Sequence, residues 1–130
     1  MALSSPYPDV EIPFDDGDRA RRFYQEAFGW QLQEVPGMDY VLATTGPTGE
    51  QGPTEPGFIN GGMPAREQSV ARTPVVVVDV AGIDVALEKI TELGGATVLG
   101  KQPVGDMGFT AYVRDPEGNV VGLWETAAHG

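Results

Sequence analysis

Two stretches of the chain place apolar residues on one side of a helix. In residues 15–30 and again in residues 82–96, apolar side chains recur at intervals of three and four positions. This spacing is typical of an amphipathic helix. Asp16 and its acidic neighbours provide N-terminal caps for the first helix, and Gly29 provides a C-terminal cap. The apolar positions are Ala20, Phe23, Tyr24, Ala27 and Phe28 in the first helix, and Ala86, Leu87, Ile90 and Leu93 in the second.

Strand patterns flank both helices. The segments "DVEIPF" and "PVVVVDV" precede the first and second helix, and three further apolar segments follow each helix. Pro116 and Gly118 predict a tight turn that pairs the last two strands antiparallel. Each half therefore predicts the order strand, helix, strand, strand, strand. The following segments are 30–34, 39–44 and 58–62 in the first half, and 96–99, 109–114 and 120–125 in the second.

The two halves also share a short sequence repeat. An acidic residue, an alanine, a glutamate and a glycine recur at one constant offset. A repeat of this length indicates two copies of one structural module. We therefore predict one domain over 1–130, with modules at about 7–63 and 73–126, a linker at 64–72 and a polar Gly/Pro-rich loop at 46–57. The repeated residues are Asp18, Ala20, Glu26 and Gly29 in the first half, and Asp84, Ala86, Glu92 and Gly95 in the second.

The composition excludes several classes of protein. The chain has 130 residues, no cysteine and a net charge of −11, from 19 acidic and 8 basic residues. This charge opposes binding to nucleic acid, and the lack of cysteine excludes a cysteine-based zinc site. No apolar run approaches the ~20 residues of a membrane helix, and residues 1–10 lack the pattern of a secretory signal. We expect a cytoplasmic protein with no nucleic-acid or membrane partner.

Four segments carry a resemblance to a known family. "VEIPFDDGDRARRFYQEAFGWQL", "FINGGMP", "VDVAGIDVALEKITELGGATV" and "DPEGNVVGLWE" resemble the vicinal oxygen chelate superfamily, which contains glyoxalases, bleomycin-resistance proteins and extradiol dioxygenases. The "INGG" stretch resembles a subgroup without a settled activity. The resemblance implies an α+β fold in which two tandem βαβββ modules form a curved mixed sheet around a cavity, with the helices on the outer face. It also implies a homodimer.

Metal-dependent members of this family hold the metal with His, Gln or Glu on the first and last strands of each module. The resemblance places these positions at Asp9 and Val75 on the first strands, and at Gly122 and Gly61 or Gly62 on the last. Valine and glycine side chains offer no ligand atom. The single histidine, His129, matches no ligand position. We therefore expect no metal and no cofactor.

Alternation along the strands predicts which residues line the cavity. If Gly122 faces the cavity, Trp124 does too, whereas Val121 and Leu123 face the helix layer. We expect the missing side chain of Gly122 to leave room for a ligand. The same alternation places Glu125 on the opposite side, in a structural or rim role. The predicted lining residues are Asp9, Glu11, Tyr40, Asn60, Val75, Val77, Phe109, Gly122 and Trp124, and Tyr112 is a further candidate wall.

Three of these residues have alternative interpretations. Glu11 is either a general base or a carboxylate at the rim that pairs with an arginine. Trp124 is either a stacking surface for a planar ligand or a tryptophan of the core or of a dimer interface. Asn60 either forms a turn or binds the ligand.

The sequence favours a metal-independent protein that binds a small apolar or aromatic molecule in the cavity. The alternative is a divalent-metal-dependent lyase, isomerase or dioxygenase-like enzyme with a non-standard carboxylate site built from Asp9, Glu11 and Glu125. A scaffold whose function lies in dimerisation is a third possibility. No catalytic residue is assigned, and whether the protein is an enzyme stays open.

Overall fold

The computed structural model describes residues 9–37, 40–49, 52–54 and 58–127. The chain divides into two compact units, and the boundary lies between Pro74 and Val75. Each unit contains one helix and one mixed sheet, and each is described separately below.

The first unit forms a four-stranded sheet in the order β2-β3-β6-β1. β2 and β6 both pair antiparallel with β3, and β1 pairs parallel with β6. The segment predicted as an irregular loop contains a small antiparallel hairpin, β4 with β5. The elements are β1 Val10–Glu11, α1 Gly17–Phe28, β2 Gln31–Glu34, β3 Tyr40–Thr44, β4 Thr48–Gly49, β5 Gly52–Pro53, β6 Asn60–Pro64 and a 3-10 turn Arg66–Gln68.

The second unit forms a four-stranded sheet in the order β7-β10-β9-β8. β7 pairs parallel with β10, and the other pairs are antiparallel. β8 is longer than predicted and contains two irregularities of register, which carry it through Gly100 to Val104. The elements are β7 Val75–Asp79, α2 Ile83–Glu92, β8 Ala96–Val104, β9 Gly108–Arg114 and β10 Val120–Thr126.

The predicted turn between β9 and β10 is confirmed. The Asp115 carboxylate Oδ1 accepts hydrogen bonds from the backbone N–H groups of Glu117 and Asn119, at 2.9 and 2.8 Å. Gly118 adopts a φ of 90°, which only glycine reaches without strain. This turn fixes the antiparallel register of β9 and β10, in which Gly122 lies opposite Tyr112.

A cluster of buried residues attaches α2 to its sheet. Ile83 of α2 packs with Ala111, Val113 and Leu123, and Val121 joins the edge of the cluster. Val121 and Leu123 therefore face α2, as predicted, and the residues between them face the other side of the sheet. In the first unit, Ile12 and Met63 line a space beside Ala20 and Tyr24 of α1.

The helix ends confirm the predicted caps of α1. The Asp16 side chain accepts a hydrogen bond from the backbone N–H of Arg19 at 3.1 Å, and Gly29 ends the helix with a φ of 71°. α2 is different, because its N-cap residue Gly82 has no side chain to offer. Glu125 of β10 replaces it: its Oε1 accepts from the backbone N–H of Ile83 at 2.8 Å.

The predicted α+β fold with two tandem βαβββ modules is confirmed. Each described unit contains the strand, the helix and the three following strands in the expected order. Neither helix, with 12 residues in α1 and 10 in α2, is long enough to cross a membrane, and the described residues contain no other candidate span.

We predict that Glu125→Ala lowers the free energy of unfolding by about 1–2 kcal/mol, because it removes the only side-chain cap seen on α2 and leaves Lys101 without a carboxylate at 3.4 Å. Urea unfolding measures this change. Glu117→Ala is the matched control, since Glu117 lies in the exposed turn; it should change stability by less than about 0.5 kcal/mol. Equal effects of the two substitutions would contradict the capping role.

Candidate ligand-binding site

Three predicted site residues of the first unit share the face of the sheet opposite α1. Ile12 and Met63 face α1, so the alternate residues Glu11, Asn60 and Gly62 point to the other side. Asp9 lies directly before β1, and its backbone N–H donates to the Asn60 carbonyl at 2.9 Å. The structure therefore places Asp9 next to Asn60 at one end of this face.

Glu11 and Tyr40 meet across the middle strand of this sheet. The Tyr40 hydroxyl lies 3.5 Å from Glu11 Oε2, a long hydrogen bond. Gly62 of β6 pairs with Glu11 on one side and Leu42 on the other. Because Gly62 has no side chain, nothing on β6 separates the carboxylate from the phenol. Glu11 is only 6% exposed, which makes it a carboxylate that is buried against a sheet.

In the second unit, the face opposite α2 is built around Gly122. This residue pairs with Val77 on β7 and with Tyr112 on β9. A Cβ atom added to Gly122 would lie 3.1 Å from Val77 Cγ2 and 3.3 Å from Tyr112 Cε1. The space that we expected beside Gly122 for a ligand is therefore absent. Two neighbouring side chains approach the strand closely at this position, which accounts for a glycine there.

Trp124 lies two residues further along the same face and is completely buried, with 0% of its surface exposed. Its ring packs over Gly108, where an added Cβ would come within 2.7 Å of Trp124 Cζ2. Its Nε1 donates to Thr126 Oγ1 at 3.0 Å. Of the two interpretations that the sequence left open, this geometry favours a packed tryptophan over an exposed stacking surface.

Phe109 corrects the predicted set. It lies on the α2 side of the sheet, packed against the cluster of Ile83, Ala111, Val113 and Leu123. The Lys101 ammonium lies 4.4 Å from the centre of its ring. Side chains alternate along β9, so Phe109 and Tyr112 point to opposite faces of the sheet. Phe109 therefore lies on the face that Gly122 does not share.

Asp79 is a residue of this face that the sequence analysis did not single out. It lies opposite Trp124 in the β7–β10 pairing and in phase with Val75 and Val77, which are both buried. Partial burial raises the pKa of the Asp79 carboxyl above its ordinary value. The signal was present in the sequence, because "VVVVD" places an acid two positions after Val77.

The described residues contain no group of three His, Cys, Asp or Glu side chains close enough to hold one metal ion. His129 lies outside these residues. At the positions to which the resemblance assigns ligands, Val75 is a buried aliphatic residue, and a Cβ added to Gly61 would lie 3.1 Å from Ala43 Cβ.

A second apolar space lies on the other side of the second sheet, beneath the C-terminal half of α2. This groove of about 440 Å³ is lined almost entirely by aliphatic groups, among them Val78, Ile90, Leu93 and Pro116. This groove is a second candidate binding site for an apolar molecule, besides the face around Gly122.

The sequence is similar to one protein family and to curated mycobacterial proteins. Residues 8–46 match the family described as "Bleomycin resistance protein-like N-terminal". The glyoxylase candidate CFP32 from Mycobacterium tuberculosis is 30% identical, and the match covers 92% of this chain and 45% of the relative. The same protein from Mycobacterium bovis gives the same values. The chain thus spans about half the length of these curated relatives.

Solved structures show the same fold at lower identity. A glyoxalase/bleomycin resistance protein/dioxygenase superfamily member from Vibrio splendidus aligns with a TM-score of 0.63 at 14% identity, covering 92% of this chain and 97% of that one. Methylmalonyl-CoA epimerase from Mycobacterium tuberculosis aligns with a TM-score of 0.56 at 19% identity, covering 98% and 93%.

We predict that Gly122→Ala lowers the free energy of unfolding by about 1–3 kcal/mol, because the new methyl group presses on Val77 and Tyr112. Adding Val77→Ala should restore part of this loss, so that the double-mutant cycle gives a coupling of about 1 kcal/mol. Gly100→Ala is the control, because a Cβ there meets nothing within 4 Å. A Gly122→Ala variant as stable as this control would contradict the close packing.

We predict that Asp79→Asn stabilises the protein at pH 7. Desolvation raises the pKa of Asp79, so the folded state binds its proton more tightly than the unfolded chain. The stabilisation that protonated Asp79 gives the folded state is then complete below the ordinary aspartate pKa of about 3.9. It is lost as the pH rises through the pKa of Asp79 in the folded state. The stability difference between variant and wild type should therefore shrink towards pH 3.

Asp115→Asn should change the stability at pH 7 in the opposite direction. Hydrogen bonds from the backbone and side chain of Asn119 lower the pKa of Asp115, so its contribution is present above the ordinary pKa and is lost as the pH falls. Asp115→Asn should therefore destabilise the protein at pH 7. Chemical unfolding from pH 3 to 8 measures both variants, and a loss of stability at pH 7 in Asp79→Asn would contradict the prediction.

Proposed function

Because the chain belongs to the glyoxalase, bleomycin-resistance and dioxygenase superfamily, also called the vicinal oxygen chelate superfamily, we propose that it binds a small apolar or aromatic molecule without using a metal. In each unit taken by itself, the candidate binding surface is the side of the sheet that its own helix does not cover. The name of the matched family, which refers to bleomycin resistance, supports a binding function.

The packing around Gly122 is the observation that carries this proposal. The resemblance assigns a metal-binding carboxylate to this position, yet a Cβ there would already lie 3.1 Å from Val77 Cγ2 and 3.3 Å from Tyr112 Cε1, so both side chains would have to shift slightly to admit it. A side chain as large as glutamate would have to displace both of them. This packing supports binding without a metal at Gly122.

The first unit carries a polar surface of its own. Glu11 and Tyr40 present a carboxylate and a phenol on the same face as the exposed side chain of Leu42. A ligand with an apolar ring and a polar substituent would suit this combination, because the face offers an apolar side chain beside a carboxylate and a phenol.

Ligand titration tests the proposal. In Trp30→Phe, Trp124 is the only remaining tryptophan, so its fluorescence reports on the face around Gly122. We predict saturable changes on titration with at least one of bleomycin and 1-naphthol, unaltered by EDTA. Calorimetric titration of Tyr40→Phe addresses the first unit: a ligand held there should bind up to about tenfold more weakly, the value of one hydrogen bond.

Leu93→Ser is the matched control, because it alters the groove beneath α2 and leaves the face of Gly122 intact. It should not change the affinity. Binding that requires added divalent metal would contradict the metal-independent proposal. Binding that is lost in Leu93→Ser but kept in Tyr40→Phe would place the ligand in the groove instead.

An enzyme is the second candidate, and the buried Glu11 next to Tyr40 favours it, since a carboxylate in such surroundings is a candidate proton acceptor. The reaction would be that of a lyase, isomerase or dioxygenase-like enzyme with a divalent metal held by carboxylates. The wild-type protein and Glu11→Gln should be assayed with glutathione hemithioacetals and catechols, with and without Mn, Co, Ni, Zn and Fe. Turnover that Glu11→Gln abolishes would favour the enzyme, and no turnover in either panel would count against it.

A further inference from the structure

Four aromatic rings form a cluster in the first unit, at α1 and directly after it. Tyr24 and Trp30 stack at 5.0 Å with an angle of 8° between their planes, and Phe23 and Phe28 contact this pair edge to face or tilted. Although the rings contact each other, Phe23 is 58% and Phe28 is 61% exposed, and no residue of α1 is buried. A contiguous aromatic surface of this kind is typical of an interaction site.

Charged residues flank the exposed ring of Phe23 in a defined order along the helix. Arg19 lies one turn before Phe23 and Glu26 about one turn after it, and these residues, with Arg22, line one open groove on α1. Arg22 Nε binds Glu26 Oε2 at 2.7 Å, whereas Arg19 makes no ion pair among the described residues. The stripe therefore begins with an available cation and ends with a carboxylate.

We propose that this surface binds α1 of a second copy of the chain in an antiparallel arrangement about a two-fold axis. The order of charges supports a second copy, because reversing the helix places the carboxylate end of one stripe opposite the Arg19 end of the other. Arg19 then faces Glu26 of the partner subunit, and the symmetry forms the same contact a second time. Phe23 packs at the centre, between the two ion pairs.

The overall charge also favours this surface over others for self-association. The chain carries a net charge of −11, so most pairs of surfaces on two copies repel each other. The sequence of α1, "GDRARRFYQEAF", contains three arginines and two acids, so its net charge is +1. Aromatic residues and arginine are also the types that contribute most binding energy at interfaces. The proposal does not depend on the ligand proposed above.

Sedimentation velocity over a range of concentrations tests the pairing. The wild-type protein should dimerise, and Phe23→Ser should raise the dimer dissociation constant at least tenfold. Arg19→Glu and Glu26→Arg should each do the same, because either change places like charges opposite each other twice. The double variant Arg19→Glu/Glu26→Arg exchanges the charges and should return the dissociation constant to within about threefold of the wild type.

Val85→Ser is the matched control, because Val85 of α2 is 70% exposed and lies outside the α1 surface; it should leave the dimer unchanged. Circular dichroism establishes that each variant is folded. A monomeric wild-type protein, or a dimer that none of the α1 substitutions weakens, would overturn the proposal. A dimer that both single charge reversals weaken and the double variant does not restore would overturn the antiparallel pairing.

Discussion

The packing of Leu123 and Val121 against α2 decides the orientation of the last strand, and with it the geometry of the candidate site. Side chains alternate along a strand, so once these two residues are buried with Ile83, the residues between them must face away from the helix. Gly122 and Trp124 must therefore lie on the face of the sheet opposite α2. The same constraint directs Glu125 towards the start of α2, where it provides the cap that Gly82 does not.

The features that depend on local chemistry or on strand phase were predictable from the sequence. The caps of α1 at Asp16 and Gly29, the turn after Arg114 and the order of elements in each module follow from short-range signals. The alternation along the last strand also predicted that Glu125 and Trp124 face opposite sides of the sheet. The side on which Asp79 lies was equally predictable, since Asp79 continues the phase of Val75 and Val77.

Other features depend on contacts between distant residues and were not predictable. The side on which Phe109 lies follows from strand phase, because Phe109 and Tyr112 cannot share one face of β9, but the position of Lys101 over its ring does not follow from the sequence. The expected space beside Gly122 is absent because Val77 and Tyr112 approach from two different strands. The Glu11–Tyr40 contact likewise needs the register of three strands and a glycine between them.

The central proposal is that the protein binds its ligand without a metal, which the close side-chain packing around Gly122 supports. The metal content of protein purified without a tag or a chelator tests it most directly, by elemental analysis before and after dialysis against Mn, Co, Ni, Zn and Fe. Our account predicts far less than one tightly held divalent ion per chain under every condition. A nearly stoichiometric ion that survives dialysis into metal-free buffer would contradict it and would move the chemistry to the carboxylates Asp9 and Glu11.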